Sequence, residues 1–347
     1  MNDATFNPFA ELEAIAPTVT VGRQEYIAGR ICFAMMFFIP VDFRFSVPER
    51  MVRAEARVRQ DISLNTYAYW TAHEPYKPTV IAKQPPPNPI NLLETFTAQN
   101  ETHFGGAFNY RLWTGRLDGK APPTQMLTYF YERDLERKNL AEVDHAATFQ
   151  LNIPLTQLER LQRPQFLQKL FAELCAILQP LSALGGLCMA TPLDHSVLQG
   201  QEHALRSLLE NHPGLLVGRA FDMAHGMRFR MSSVNWLTAV RGDLLTRCGG
   251  YEGVLKQLSR PGFETASYGD DGILVQAGSS PQLGNLAENI TLPHYGDLAR
   301  ALKPARLQIK EGHGIHMLHY GPEGMLYSKE VLAKSQTAWL ARFDQMA

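Results

Sequence analysis

Along this chain, apolar positions fall into runs that differ in length and period. Residues 31–39 (ICFAMMFFI) form an unbroken apolar run of strand length, the signature of a central strand buried on both faces. Ser46-Val47-Pro48-Glu49 then opens a helix, with Ser46 as N-cap, Pro48 in the first turn and Glu49 completing a capping box; the helix runs to about Asp61. Residues 66–72 (TYAYWTA) are aromatic and β-branched, which favours a strand, and Pro85 to Pro89 reads as a connector. A strand pair follows at 106–115 and 124–132, joined by the breaker-rich turn 117–123, and another strand is expected at 147–153. From Pro154 to Leu178 the chain reads as helix interrupted near Pro164, with Leu167, Leu170, Phe171, Leu174 and Leu178 on one apolar face.

Residues 182–191 (SALGGLCMAT) read as a buried strand carrying a Gly-Gly irregularity. A helix is expected from Asp194, its cap, to Glu210, ended by His212-Pro213-Gly214. A strand-to-helix passage at 230–247 precedes a short helix at 251–258, and Gly249, Gly250 and Gly253 read as a helix C-cap. Asp270-Asp271-Gly272 makes a hairpin turn before ILVQA; a helix at 294–302, a strand at 304–310 and an amphipathic helix at 328–343 complete the chain. Strands cluster without regular βαβ alternation, so the expected class is α+β: mixed or antiparallel sheets with packed helices. The order strand, helix, strands recurs in both halves and is compatible with two similar α/β lobes. The division is a polar lead-in at 1–22, an N-terminal lobe at 23–180 and a C-terminal lobe at 181–347, which can equally form one continuous domain.

Charge narrows the function. With 45% hydrophobic and 19% charged residues and a net charge of −1, the 347-residue chain lacks the basic excess of a nucleic-acid binder and the strong acidity of a DNA mimic. Arg50, Arg53, Arg57 and Arg59 alternate with Glu49, Glu55 and Asp61 and read as the solvated face of a helix. Cys32, Cys175, Cys188 and Cys248 sit among apolar residues without C-x-x-C spacing, the pattern of buried free thiols in a reducing compartment. The N-terminus has no secretory pattern and no apolar run reaches membrane-spanning length, so a cytoplasmic protein without a membrane partner is expected.

Catalytic signatures are weak and scattered. G-x-S-x-G, the phosphate loop, G-x-G-x-x-G and H-E-x-x-H are all absent, and no cofactor is expected. His313, His316 and His319 are the best metal candidates, but residues three apart in a strand face opposite sides, and Gly312, Gly314 and Gly321 oppose a helix. Packing or surface histidines account for them better, and no metal or catalytic residue is assigned; a metal-dependent enzyme using this cluster is the alternative. Asp270 and Asp271 read first as a turn, Asp194-His195 as a helix cap, and Arg228-Phe229-Arg230 as too little for base stacking in a neutral chain.

The second half carries an ordered set of motifs: His212-Pro213-Gly214-Leu215-Leu216-Val217-Gly218, Val234-Asn235-Trp236-Leu237-Thr238, Asp243-Leu244-Leu245 running to Cys248-Gly249-Gly250, Gly272 to Gly278, Pro281-Gln282-Leu283-Gly284-Asn285, and Pro293-His294-Tyr295 leading to Leu302-Lys303-Pro304-Ala305-Arg306. In these it resembles the TsiV-type immunity family of type VI secretion, formerly known only as a domain of unknown function. The resemblance is good over about 182–310 and looser over about 30–181. It implies an antidote that binds a secreted antibacterial effector encoded beside it, several such effectors being nucleases of the Tox-REase-5 and VRR-NUC types. A Tox-REase-5 DNase is the suggested partner, inhibited by covering its active site or substrate groove, with no direct contact to nucleic acid. The family supplies no catalytic residues. Trp236 and Leu237 are expected in the core, Asn235 tying down backbone at a strand end, Thr238 capping the next helix, and Gly278, Pro281 and Gly284 shaping a loop. A DNase presents a basic groove, so Glu132, Asp134, Glu136, Asp270 and Asp271 are the candidate toxin-facing acids.

Overall fold

The computed structural model describes residues 12, 15–21, 23–41, 46–66, 68–71, 79–102, 106–133, 145–161, 164–194, 205–224, 226–308 and 327–346. A small hairpin, β1 (Thr18–Val21) and β2 (Gln24–Ile27), stands apart. It is followed by β3 (Arg30–Ile39), α1 (Ser46–Asp61), β4 (Ala68–Thr71), β5 (Thr79–Val80), α2 (Pro89–Thr102), β6 (Gly106–Trp113), β7 (Met126–Arg133), β8 (Ala147–Ile153), α3 (Leu155–Leu161), α4 (Pro164–Leu178) and β9 (Ser182–Ala190). The second half adds α5 (205–211), β10 (Leu216–Val217), β11 (Leu237–Arg241), α6 (Gly242–Arg247), α7 (Gly250–Gln257), β12 (Phe263–Tyr268), β13 (Gly272–Ala277), α8 (Pro293–Ala301) and α9 (Lys329–Leu340).

Eleven described strands build one open sheet in the order β12-β13-β11-β9-β3-β8-β7-β6-β4-β5, with β10 beside β9. Every pairing is antiparallel except the short β10–β9 contact. The fold is thus α+β. The sheet crosses both halves of the sequence, because β9 bonds to β3 on one side and β11 on the other.

β3 sits mid-sheet and shows why an unbroken apolar run was needed. Ile31, Phe33, Met35, Phe37 and Ile39 join the main core, under Val47, Met51, Ala54 and Val58 of α1 and the Leu167–Leu178 face of α4. Cys32, Ala34, Met36 and Phe38 face the other side, where Leu216, Ala220, Met223, Met227 and Leu340 cover them. Each such large side chain contributes about 1.5–3 kcal/mol by leaving water. All four cysteines are buried free thiols.

Two local expectations change. The arginine row on α1 is not simply a solvated face. Arg50 Nη1 donates to the Leu178 carbonyl (3.0 Å), Arg57 binds Glu173 and Asp61 (2.5 and 2.7 Å), and Arg59 covers the buried Glu55 carboxylate (2.6 Å), so the row ties α1 to α4. Residues 304–308 do not form a strand: a 3-10 turn at Lys303–Ala305 is followed by a single parallel bridge, Met231 to Arg306. Pro304 lacks the N–H that a ladder requires there. Of the helix expected from 194 to 210, only Asp194 and 205–210 fall within the described residues; 205–211 is helical, and the Asp194 N–H donates to the Gly119 carbonyl (3.1 Å).

Candidate functional site

The motif residues form a polar knot where the sheet changes partner. β9 pairs with β11 through Ser182–Gly185 and with β10 through Cys188 and Met189, so its neighbour switches beside Gly186. Asn235 fills that gap and is fully buried. Its Nδ2 donates to the Gly214 carbonyl (2.9 Å) and its Oδ1 accepts from the Trp236 N–H (2.8 Å). A Cβ on Gly186 would lie 1.8 Å from Asn235 Oδ1, which is why glycine is required at this point. The Gly-Gly irregularity is therefore a seat for one amide.

Trp236 and Leu237 lie in the core as expected, Trp236 edge-on to Phe33 with its Nε1 donating to the Gly278 carbonyl (3.0 Å). Thr238 does not cap a helix. It lies within β11, and its Oγ1 accepts from the Asn235 N–H and donates to the Asn235 carbonyl, both at 3.0 Å. Gly278 and Gly284 hold positive φ (84° and 69°) in the loop that contains Pro281. The Nδ1–H of His212 donates to the Gly284 carbonyl (2.7 Å), which fixes its tautomer, and the Gly214 N–H donates to the Leu283 carbonyl (2.8 Å). The knot thus locks 212–214 against 282–284.

Beside the knot, α5, Pro213, Leu286 and α9 with Arg342 line a surface groove of about 360 Å³. Leu209, Leu286, Val331, Ala338 and Trp339 supply apolar lining, and Arg206, Glu210, Lys334 and Arg342 supply charge. Leu286 and Val331 are large apolar side chains left 39% and 46% exposed, and Ile290, in the loop with Leu286, is 52% exposed. Arg342 is held between two rings, 4.1 Å from the Trp339 centroid and 4.4 Å from that of Phe343. Its Nε donates to the Pro213 carbonyl (2.8 Å) and Nη1 to the Trp339 carbonyl (3.0 Å). Burial, reinforced by Arg306, lowers its pKa to about 9, so it remains a cation at neutral pH. Arg206 is paired with Glu210 (2.9 Å) and bonded to Ser335 and the Tyr327 hydroxyl.

The candidate acids are not brought together. Glu132 is in β7, and Asp134 and Glu136 lie outside the described residues. Asp270 and Asp271 occupy the β12–β13 turn at the sheet edge, both exposed. Asp271 is paired with Arg241 (3.2 Å), whereas Asp270 has no ion pair among the described residues.

For chemistry, the described residues hold no group of three or more His, Cys, Asp or Glu placed to bind a metal, and His313, His316 and His319 lie outside them. Burial raises the Cys175 and Cys248 thiols, so neither is primed as a thiolate. Arg228 lies over Phe229 (5.2 Å), whose carbonyl accepts from Arg230 and Arg247. No described helix is long and apolar enough to cross a membrane.

Sequence reasoning missed the groove. Its residues come from three distant stretches, and the local hint was the arginine among aromatics at 339–343 (WLARF) on an amphipathic helix.

A family model described as TsiV, type VI immunity for VRR-NUC, matches residues 99–343, a span that holds the knot and the groove-lining residues. Among solved structures, the Pseudomonas aeruginosa T6SS protein PA0821 shares the fold, with a TM-score of 0.74 at 20% identity, over 92% of this chain and 83% of that one. Comparison with curated proteins gives no match.

Proposed function

From the premise that the chain belongs to the TsiV family, type VI immunity for VRR-NUC, we propose that it binds a cognate VRR-NUC effector and neutralises it by occupying the active site or substrate groove. The family match over residues 99–343 carries this conclusion. The sequence suggested a Tox-REase-5 DNase as the partner; the family description names VRR-NUC instead, and the proposal follows it. No bond is made or broken by the antidote, which acts in the cytoplasm where the nuclease would meet DNA.

Two features support inhibition by occupancy. The motif residues are spent on scaffold contacts, leaving loops and helix faces to read the partner. Asp270, exposed at a hairpin tip, offers an acid to a basic DNA-binding groove; Asp271, Glu132, Asp134 and Glu136 belong to the same proposal.

The test is co-expression with the neighbouring VRR-NUC gene. Cells carrying both should survive where cells carrying the nuclease alone die, and the two proteins should co-purify. Survival independent of this chain, or turnover of a small compound by the chain alone, defeats the proposal. Triple substitution of His313, His316 and His319 separates it from a metal-dependent enzyme, since an antidote should keep protecting.

A further inference from the structure

Most of the described ionic side chains near the C-terminus are matched. Asp344 is held by Arg306 and Lys303, and Arg206 by Glu210. Two cations in the groove between α5 and α9 are not. Lys334 has no ion pair among the described residues, and the Arg342 guanidinium meets carbonyls and aromatic faces but no carboxylate. The same groove is lined by Leu209, Leu286, Val331 and Trp339, of which Leu286 and Val331 are exposed to solvent and Leu209 is buried. Exposed apolar area beside a desolvated arginine and a tryptophan is the anatomy of an interface hot spot. The knot explains how the groove keeps its shape without an occupant. Arg342 fixes the lining residue Pro213 directly, and Asn235 and His212 hold the adjoining Gly214 and Gly284, by hydrogen bonds of 2.7–2.9 Å.

We propose that this groove is a docking site for the effector, taking a large apolar side chain that lies next to a carboxylate on the effector surface. The assignment rests on the proposed function and adds to it the place and chemistry of contact. Charge complementarity selects the carboxylate: Arg206 and Glu210 cancel, so Lys334 and Arg342 leave the groove cationic. The apolar lining selects the adjoining side chain, because a bare phosphate backbone would leave Val331, Leu286 and Trp339 uncovered. With Nε and Nη1 given to carbonyls, the Arg342 Nη2–H groups remain to meet a carboxylate, which would offset the cost of burying an unpaired cation.

The experiment measures affinity of the full-length chain for its catalytically inactive VRR-NUC effector. Val331→Asp and Ala338→Trp alter the exposed lining of α9, and Lys334→Glu reverses a rim charge without touching the core. Each should weaken binding about tenfold or more. The Lys334→Glu loss should shrink as salt rises, since rim charges are screened, which a folding defect would not reproduce. Ile90→Asp, at an exposed apolar residue outside this lining, should bind within about twofold of wild type. Wild-type affinity in all three groove variants overturns the docking site and leaves the immunity proposal standing. No binding by the wild-type chain overturns both. A labelled oligonucleotide that binds the wild-type chain and is lost in Lys334→Glu also overturns it, by assigning the groove to nucleic acid.

Discussion

At the scale of single residues, Asn235 and Gly186 answer to each other. Asn235→Ala would leave the Gly214 carbonyl and the Trp236 N–H without their partner, at about 1–3 kcal/mol for each orphaned group. Gly186→Ala places a methyl against the amide and should cost about 1–3 kcal/mol. Combined, the losses should fall short of their sum, because removing the amide gives the new methyl its space. Urea denaturation of the two single variants and the double variant reads this directly, and simple additivity would mean that the two residues do not share a site. Titration gives a second residue-scale test. Hydrogen bonds from Arg306, with Lys303 and their charges, hold the Asp344 carboxyl below its ordinary value of 3.8. Its folded pKa is therefore the lower one, so its stabilisation is present above that ordinary value and disappears as pH falls through the folded pKa. Asp344→Asn should lower the melting temperature near neutral pH and leave a smaller difference from wild type in acid. Glu55 behaves in the opposite sense. Desolvation raises its pKa above 4.5 despite Arg59, so its ionised form is the costly one once folded. Glu55→Gln should raise the melting temperature at about pH 7, with the gain vanishing as acid neutralises the wild-type carboxyl. A lower melting temperature at neutral pH would show that the Arg59 pair outweighs the burial cost.

Secondary-structure elements show what the sequence pattern conveys and what it omits. The continuous run at 31–39 reads as a strand covered on both faces, and β3 is such a strand. The leucines of α4 appear at their expected helical spacing in the core. The Asp270-Asp271-Gly272 turn and the two halves of the Pro164-interrupted helix also stand where the sequence put them. What failed was partner choice, which depends on contacts far along the chain. The arginine row of α1 has a helical charge pattern whether water or α4 faces it, and only Glu173 and the Leu178 carbonyl decide. Thr238 carries a cap-forming hydroxyl, but its Asn235 neighbour claims it inside β11. Helix α2 had a local signal that went unused: Asn88 Oδ1 accepts from the Ile90 N–H (2.9 Å) and Pro89 occupies the first turn. The groove had only the arginine among aromatics at 339–343, since Arg206, Leu286 and Trp339 meet only after α5, a loop and α9 have packed. The α1–α4 tie can be tested as an element. Arg57→Ala should cost about 0.5–1.5 kcal/mol and couple to Glu173→Ala in a double-mutant cycle, whereas Arg53→Ala, exposed on the same helix, should be near neutral. Coupling energies of zero would return the row to the solvent-facing role its charge pattern suggested.

On the scale of the whole molecule, the consequence of inhibition by occupancy is stoichiometric. A surface that covers a nuclease groove is consumed as it acts, one antidote for each effector held. A standard interface takes about 800 Å² from each partner, roughly a twentieth of this chain's 16666 Å² of accessible surface. Most of the surface is therefore irrelevant to protection, and substitutions there should leave it intact. DNA cleavage by a fixed amount of effector should fall linearly as this chain is added and reach its end point at about one to one, provided affinity is far tighter than the working concentration. Diluting the inhibited mixture below the dissociation constant should restore cleavage, because nothing covalent has changed. A catalyst that disarms the nuclease would behave otherwise: a small fraction of an equivalent would suffice given time, and dilution would restore nothing. The groove variants sharpen the comparison. If Val331→Asp and Lys334→Glu flatten the titration in proportion to their lost affinity, protection and docking are the same event; if the titration keeps its wild-type shape while affinity falls, the neutralising contact lies elsewhere on the molecule.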